Sequence, residues 1–181
     1  MNAQRGMSLV ELILVIMVIG MVSTGIFAIA QRTHAAQQVD RQVIEFKALL
    51  KALDGANGSA IGNFSSVSAE TVASERLVPP DMIEGTGLRS VWGPIVLEPR
   101  TLDARRPMAH IRITYEGVPM DQCQAFVRTI HKGQEAVHVG GVLVAARDVL
   151  NQEQLLDACE RGPASVAIDH DGGGGGDPTL L

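Results

Sequence analysis

A single carboxylate lies at the start of a long apolar stretch of the sequence. Glu11 lies four residues after Met7, and no residue from 12 to 30 is charged. A carboxylate in hydrocarbon costs up to about 3 kcal/mol at a helix centre, so it needs a partner. Cleavage between Gly6 and Met7 would supply one, because the new α-ammonium, with a pKa of about 8, is largely cationic at neutral pH. Between two staggered parallel helices, Glu11 of one copy can then pair with the Met7 ammonium of the next.

The apolar stretch itself covers residues 7–30, which is long enough as a helix to cross a bilayer core of about 30 Å. Three interpretations are open. A secretory signal peptide would use Ala28 and Ala30 as an A-x-A cleavage site and leave a soluble exported binding protein. A plain single-pass anchor is the second. Cleavage after Gly6 is the third, and it alone gives Glu11 a function.

Residues 31–54 are predicted to continue the same helix with a different pattern. Apolar residues recur at three- and four-residue steps while charged residues, Glu45 among them, fill the other positions, which is typical of an amphipathic helix. The apolar residues are Ala36, Val39, Val43, Phe46, Leu50 and Leu53. Gly55 is expected to end the helix at Asp54.

The rest of the chain reads as a loop followed by short strands and helices. Helices are predicted at 69–76 with Ser68 as N-cap, at 121–132 with Asp121 as N-cap, and at 151–159. Strands are predicted at 90–97, where Trp92 is the largest side chain available for burial and Pro94 suggests an edge strand, and at 110–115, 136–139, 142–145 and 164–168. Residues 169–181, with five consecutive glycines, are expected to form a flexible tail. This order predicts an α+β fold, with the long N-terminal helix packed on a small, mostly antiparallel sheet.

The N-terminal residues resemble a known export signal. Arg5 and Gly6, then residues 7–11 (MSLVE) and the apolar stretch, resemble the class III signal of type IV pilins and pseudopilins. The resemblance implies the type IV pilin fold and a membrane-anchored prepilin. A prepilin peptidase would cut after Gly6, Met7 would become the N-methylated terminus, and Glu11 would direct assembly.

The same resemblance implies partners, locations and a division of the chain. The partners are other copies in a helical filament, the prepilin peptidase, the inner-membrane assembly machinery, and the lipid bilayer before assembly. The location is the inner membrane for the prepilin and an extracellular pilus, or fimbrium, afterwards. The segments are a leader at 1–6, a transmembrane and filament-core helix at 7–30, its amphipathic continuation at 31–54, a globular domain at 55–168 and the tail at 169–181.

Cys123 and Cys159 are the only cysteines in the sequence. An exported domain meets an oxidising compartment, which favours a disulfide over two buried free thiols. Residues 118–123 (VPMDQC), the pair Gly140 and Gly141, and residues 158–163 (ACERGP) resemble the C-terminal region of type IVb pilins. The resemblance implies a structural pilus subunit that serves adhesion, aggregation or conjugation. A minor pilin or a type II secretion pseudopilin is the alternative.

Composition argues against several other classes of protein. A net charge of −5 and an aromatic content of 3% disfavour dedicated nucleic-acid binding. The histidines and cysteines lack metal-finger spacing, and surface or capping roles are expected for His34, His110, His131, His138 and His170. No hydrolase, phosphate-loop or zinc-protease motif is present. We therefore expect no catalytic residues, no metal and no cofactor.

Overall fold

The computed structural model describes residues 9–56, 63–102 and 104–172. The predictions for Gly6, Met7 and residues 173–181 lie outside this part of the chain. The chain divides between Gln37 and Gln38 into two compact units. The first helix, α1 (Leu9–Ala56), supplies residues to both units and ends two residues beyond the predicted Asp54.

In the first unit the described part of α1 presents apolar side chains. Ile13, Leu14, Ile16 and Met17 are each more than half exposed. Within the residues that the structure describes, no helix combines the length and the apolar character needed to cross a membrane.

In the second unit α1 buries one face. Buried apolar side chains recur at three- and four-residue steps along it, as the amphipathic pattern predicts: Val39, Val43, Phe46, Leu49 and Leu53. Ala36 was predicted on this face but is exposed, and Leu49 takes the fully buried place expected of Leu50. Ala36 precedes Gln38, where the second unit begins, and Leu50 is partly buried against the core.

The second unit contains an eight-stranded antiparallel sheet in the order β1-β2-β3-β4-β8-β5-β6-β7. The strands are β1 (Ile83–Glu84), β2 (Gly87–Arg89), β3 (Pro94–Arg100), β4 (His110–Val118), β5 (Ala136–Val139), β6 (Val142–Ala146), β7 (Val149–Leu150) and β8 (Ala164–Asp171). The last strand lies in the middle of the sheet, between β4 and β5. The predicted α+β class and antiparallel sheet are confirmed.

Three short helices complete the second unit. They are α2 (Ala69–Ser74), α3 (Met120–Ile130) and α4 (Gln152–Glu160), with a 3₁₀ turn at Pro80–Met82. Ser68 caps α2 as predicted, because its Oγ accepts a hydrogen bond from the Thr71 amide at 3.1 Å. The prediction that Asp121 caps α3 is wrong. The helix begins earlier, after the extended Pro119, so Asp121 lies inside the first turn.

The strand predicted at 90–97 begins later than expected. Residues 90–93 form a turn in which Ser90 Oγ accepts hydrogen bonds of 3.1 Å from the amides of Trp92 and Gly93. A Cβ on Gly93 would stand only 2.8 Å from the Glu116 carbonyl oxygen, so this turn requires glycine. β3 also lies between two strands, so Pro94 does not mark an edge strand. The short strands β1, β2 and β7 were not predicted.

The last strand is longer than predicted. β8 ends at Asp171, so residues 169–171 belong to the sheet and not to a flexible tail. The register of β8 places Asp169 opposite Arg112 of β4. The pairing of these two charges explains why a polar sequence continues the strand.

Three aromatic rings join α1, the sheet and α3. Phe46 of α1, Tyr115 of β4 and Phe126 of α3 are all buried. Their ring centroids lie 6.3 Å apart for Phe46 and Tyr115 and 5.2 Å apart for Tyr115 and Phe126, with edge-to-face angles. Trp92 packs against the same group, 4.8 Å from Phe126. This aromatic cluster is the centre of the core.

The aromatic cluster predicts the effect of one substitution on α1. Phe46→Ala should lower the free energy of unfolding by about 3–5 kcal/mol, because it leaves a cavity among rigid neighbours. Urea unfolding of the full chain in detergent measures this. Ile44→Ala on the same helix is the control: Ile44 is 69% exposed, and a loss below about 0.5 kcal/mol is expected. Equal losses in the two variants would contradict the packing described here.

Candidate functional site

Glu11, the predicted assembly residue, lies in the first turn of α1. Gly6 and Met7 precede the described residues, and the backbone at Glu11 is helical. The described side chains that follow, Ile13, Leu14, Ile16 and Met17, carry no polar group except a thioether and are exposed. Chemically, this segment can contact lipid tails or other apolar helices, and it offers no group for catalysis.

The two cysteines form a disulfide between α3 and α4. Cys123 and Cys159 are fully buried, and their Cα atoms lie 5.8 Å apart. The bond spans a sequence separation of 36 residues, which includes β5, β6 and β7. A cross-link over a loop of this length stabilises a fold by about 4 kcal/mol on the chain-entropy model. The disulfide therefore holds α3 and α4 together at the two ends of the segment that contains β5, β6 and β7.

A chain of side-chain hydrogen bonds joins α1 to α3 and to the turn before β3. Trp92 Nε1 donates to Gln122 Oε1 at 2.7 Å, and Gln122 Nε2 donates to Gln38 Oε1 at 2.8 Å. Gln122 is buried, so these bonds satisfy polar atoms that water does not reach. Sequence reasoning missed this link, because it joins residues from three separate segments.

A carboxylate is buried on α1 where the sequence predicted a solvent-exposed charge. Glu45 is 6% exposed and accepts a hydrogen bond of 2.7 Å from Arg41 Nε and another from Gln42 Nε2. Arg41 also pairs with Asp81 at 2.5 Å. Burial, with a smaller contribution from Glu45, raises the pKa of Tyr115 well above its ordinary value, so this phenol stays neutral. The network ties α1 to the 3₁₀ turn at Pro80–Met82 through Arg41 and Asp81.

A second buried charge lies in the middle of the sheet. Asp169 is 2% exposed and accepts two hydrogen bonds of 2.7 Å from Arg112, a bidentate pair. His138 Nδ1 lies 3.8 Å from the same carboxylate. Burial lowers the pKa of His138; Asp169 opposes this, and Arg112 and Arg100 reinforce it. The neutral imidazole is therefore favoured in the folded chain.

The histidines differ in part from the predicted surface and capping roles. His131 caps α3, with Nδ1 2.8 Å from the Arg128 carbonyl oxygen. His110 is buried, so a surface role is wrong for it. His170 Nε2 lies 3.1 Å from Asp54 Oδ1 at the end of α1. Among the residues that the structure describes, no three acidic, histidine or cysteine side chains are grouped to hold a metal ion.

Comparison with known proteins agrees with this description. Residues 1–27 match the family model of the prokaryotic N-terminal methylation motif. The crystal structure of a type IVb pilin from Salmonella typhi superposes with a TM-score of 0.52 at 17% identity, covering 73% of this chain and 99% of that one. TcpA, a type IV pilin from Vibrio cholerae El Tor biotype, gives a TM-score of 0.53 at 12% identity, covering 75% and 99%. No curated protein sequence matches the chain significantly.

These comparisons support the resemblance to type IV pilins inferred from the sequence. The chain has the fold of type IVb pilins, and it carries an N-terminal methylation motif ahead of that fold. Both of these structures are described as pilins.

The buried pair in the sheet predicts unequal effects of two matched substitutions. Asp169→Asn should lower the free energy of unfolding by about 3 kcal/mol, because it leaves the largely buried Arg112 charge without its counter-ion. Asp157→Asn breaks the Asp157–Arg161 pair, whose side chains are each 65% exposed, and should cost less than about 1 kcal/mol. Chemical unfolding of both variants measures the two losses in the free energy of unfolding. A smaller loss for Asp169→Asn than for Asp157→Asn would show that Asp169 is not the buried member of an ion pair.

The lowered pKa of His138 predicts how stability depends on pH. An unfolded histidine titrates near pH 6.5, so below that pH the unfolded chain binds more protons than the folded one, and this contribution destabilises the fold as the pH falls. The substitution His138→Gln removes this pH-dependent contribution. The free energy of unfolding should therefore fall less steeply from pH 8 to pH 5 in the variant than in the wild type. Between pH 8 and pH 9 the two slopes should agree, which serves as the control. A steeper fall in the variant would mean that the folded chain favours the protonated imidazole.

Proposed function

We propose that the protein is a structural subunit, a pilin, of a type IV pilus of the type IVb class. The observation that carries the proposal is the coincidence of two independent features in one chain. The methylation motif occupies residues 1–27, and the described residues have the fold of type IVb pilins. Neither feature alone specifies a filament subunit. Together they match a subunit whose N-terminus is processed before assembly and whose folded domain the filament displays.

Processing converts the precursor into a subunit that can assemble. Prepilin peptidase cuts after Gly6, and Met7 becomes the N-methylated terminus. The apolar helix holds the precursor in the inner membrane until it is extracted. In the filament the apolar helices bundle, so that contact between copies replaces lipid, and Glu11 pairs with the Met7 ammonium of a neighbour. The pairing offsets the cost of burying either charge and sets the stagger between subunits.

The second unit forms the outside of the filament. Its disulfide and its buried Arg112–Asp169 pair hold the surface elements in place where no cytoplasmic chaperone or reductant acts. The assembled pilus is extracellular and serves adhesion, aggregation or conjugation. The acidic composition argues against direct nucleic-acid capture by this subunit.

Two alternatives predict different outcomes. A minor pilin or a type II secretion pseudopilin would share the processing but would be scarce in sheared filaments. A soluble exported protein cleaved after Ala30 would begin at Gln31 and would lose the whole of residues 1–27, which match the methylation motif.

The role of Glu11 in register gives the test. Glu11→Val should leave membrane insertion and cleavage intact but reduce the protein in sheared filaments at least about tenfold, because a buried ammonium left without its counter-ion costs several kcal/mol. Immunoblots of sheared and membrane fractions measure both pools. Ile13→Val is the control, since it changes a neighbouring apolar side chain and should assemble normally. Normal piliation by Glu11→Val would count against the proposal.

A further inference from the structure

The turn between β6 and β7 projects an apolar side chain into solvent. Val149 is 74% exposed, more than any other large apolar residue whose side chain the structure describes. Arg147 and Asp148, which precede it, have φ angles of +46° and +67°. This left-handed backbone matches the twist of a tight hairpin, but it costs non-glycine residues about 1–2 kcal/mol each. We call residues 147–149 the hairpin tip.

The hairpin tip is held in this conformation by the neighbouring loop. The Gly133 amide donates a hydrogen bond of 2.6 Å to Asp148 Oδ1, and the Arg147 amide donates one of 3.1 Å to the Glu135 carbonyl oxygen. Arg147 Nε also lies 3.2 Å from Glu135 Oε1. Because the tip is fixed in advance, docking it costs little conformational entropy.

A surface cavity of about 310 Å³ lies near the other end of β6. It opens between the β5–β6 turn and the connection from α4 to β8, and the Gly140 amide ties these two segments together with a 2.9 Å hydrogen bond to the Ser165 carbonyl oxygen. Its lining includes five apolar residues, of which Val139, Ala158 and Ala164 are buried, so that Val142 and Pro163 supply the accessible apolar surface. A branched aliphatic side chain can pack against these two residues.

The charges at the rim of the cavity complement those of the hairpin tip. Arg161 lines the cavity, and Asp157 pairs with it one helical turn earlier on α4. Both are 65% exposed, so each can exchange its partner. The hairpin tip carries Arg147 and Asp148 in adjacent positions. Arg147 of one copy can face Asp157 of another while Asp148 faces Arg161.

The hairpin tip and the cavity lie at opposite ends of β6. Val142 begins β6 at the cavity, and β6 ends at Ala146, just before the hairpin tip. The tip of a chain therefore lies at the opposite end of β6 from its own cavity, so the cavity that it could enter belongs to another copy. Such a head-to-tail contact does not use one patch on both copies, so it extends into a ring or an open helix.

We propose that the hairpin tip of one copy docks in this cavity of the next copy, with Val149 as the buried anchor. The contact deepens the proposed function and rests on it, because it supplies a second link between subunits besides the apolar helices. One valine and two rim ion pairs make a weak contact in isolation, but repetition along a filament makes it effective through multivalency.

Cysteine cross-linking in sheared filaments tests the contact. The double variant Val149→Cys/Pro163→Cys places one thiol on the hairpin tip and one on the cavity wall. It should give a ladder of covalent multimers on a non-reducing gel, whereas each single variant should give none. The matched control, Leu102→Cys/Pro163→Cys, moves the first thiol to another exposed apolar position, 48% exposed, and should also give none. A second measurement uses Asp148→Asn, which keeps the oxygen that accepts from the Gly133 amide, and Arg161→Gln. Each should reduce filament yield severalfold, and the combined variant should lose no more than either single variant, because both remove the same ion pair.

The outcomes separate this contact from the proposed function. Filaments that form normally, give no ladder in the double variant and lose no yield in the charge variants would overturn the contact and leave the pilin proposal standing. A ladder of equal strength in the Leu102→Cys control would also overturn it. If the wild-type chain enters no sheared filament at all, the proposed function fails first and the contact fails with it.

Discussion

The packing of Phe46 against Tyr115 and Phe126 is the contact on which the second unit depends. It joins a helix, the middle of a sheet and a second helix at one point, and Trp92 closes the group from the turn before β3. The disulfide then ties α3 to α4, and with them the short strands at that side of the sheet. Each of these contacts bridges segments far apart in sequence, so the loss of Phe46 affects them together.

One helix carries two different kinds of apolar surface. From Gln38 onward its apolar face is covered by the second unit, whereas Ile13, Leu14, Ile16 and Met17 are exposed. Contact of such a surface with water is unfavourable, whereas contact with lipid tails or with other apolar helices is favourable. We propose that the protein uses both in turn, lipid before assembly and other copies after it. In this account the buried charge at Glu11 distinguishes an ordered stack of helices from an unspecific apolar aggregate.

Local signals in the sequence predicted those features that depend on near neighbours. The cap of α2 at Ser68 needs only the amide of Thr71, three residues away, and the sequence pattern of α1 needs only its own helical period. Asp169 could not be placed in this way, because its partner Arg112 is 57 residues away. Burial of Glu45 and His110 was missed for the same reason: the elements that cover them come from elsewhere in the chain. For the candidate site, cysteine number and compartment suggested the disulfide, while the hairpin tip and its cavity depend on turn geometry that no motif encodes.

The N-terminal residue of the subunit in filaments reports on the cleavage and on the cation available to Glu11 together. Intact-mass and N-terminal peptide analysis of sheared filaments should find a chain that begins at Met7 with a methylated α-amino group. That result requires cleavage after Gly6 and presents the cation that Glu11 needs. A chain that retains residues 1–6, or one that begins at Gln31, would contradict the account, because neither offers an α-ammonium beside the carboxylate.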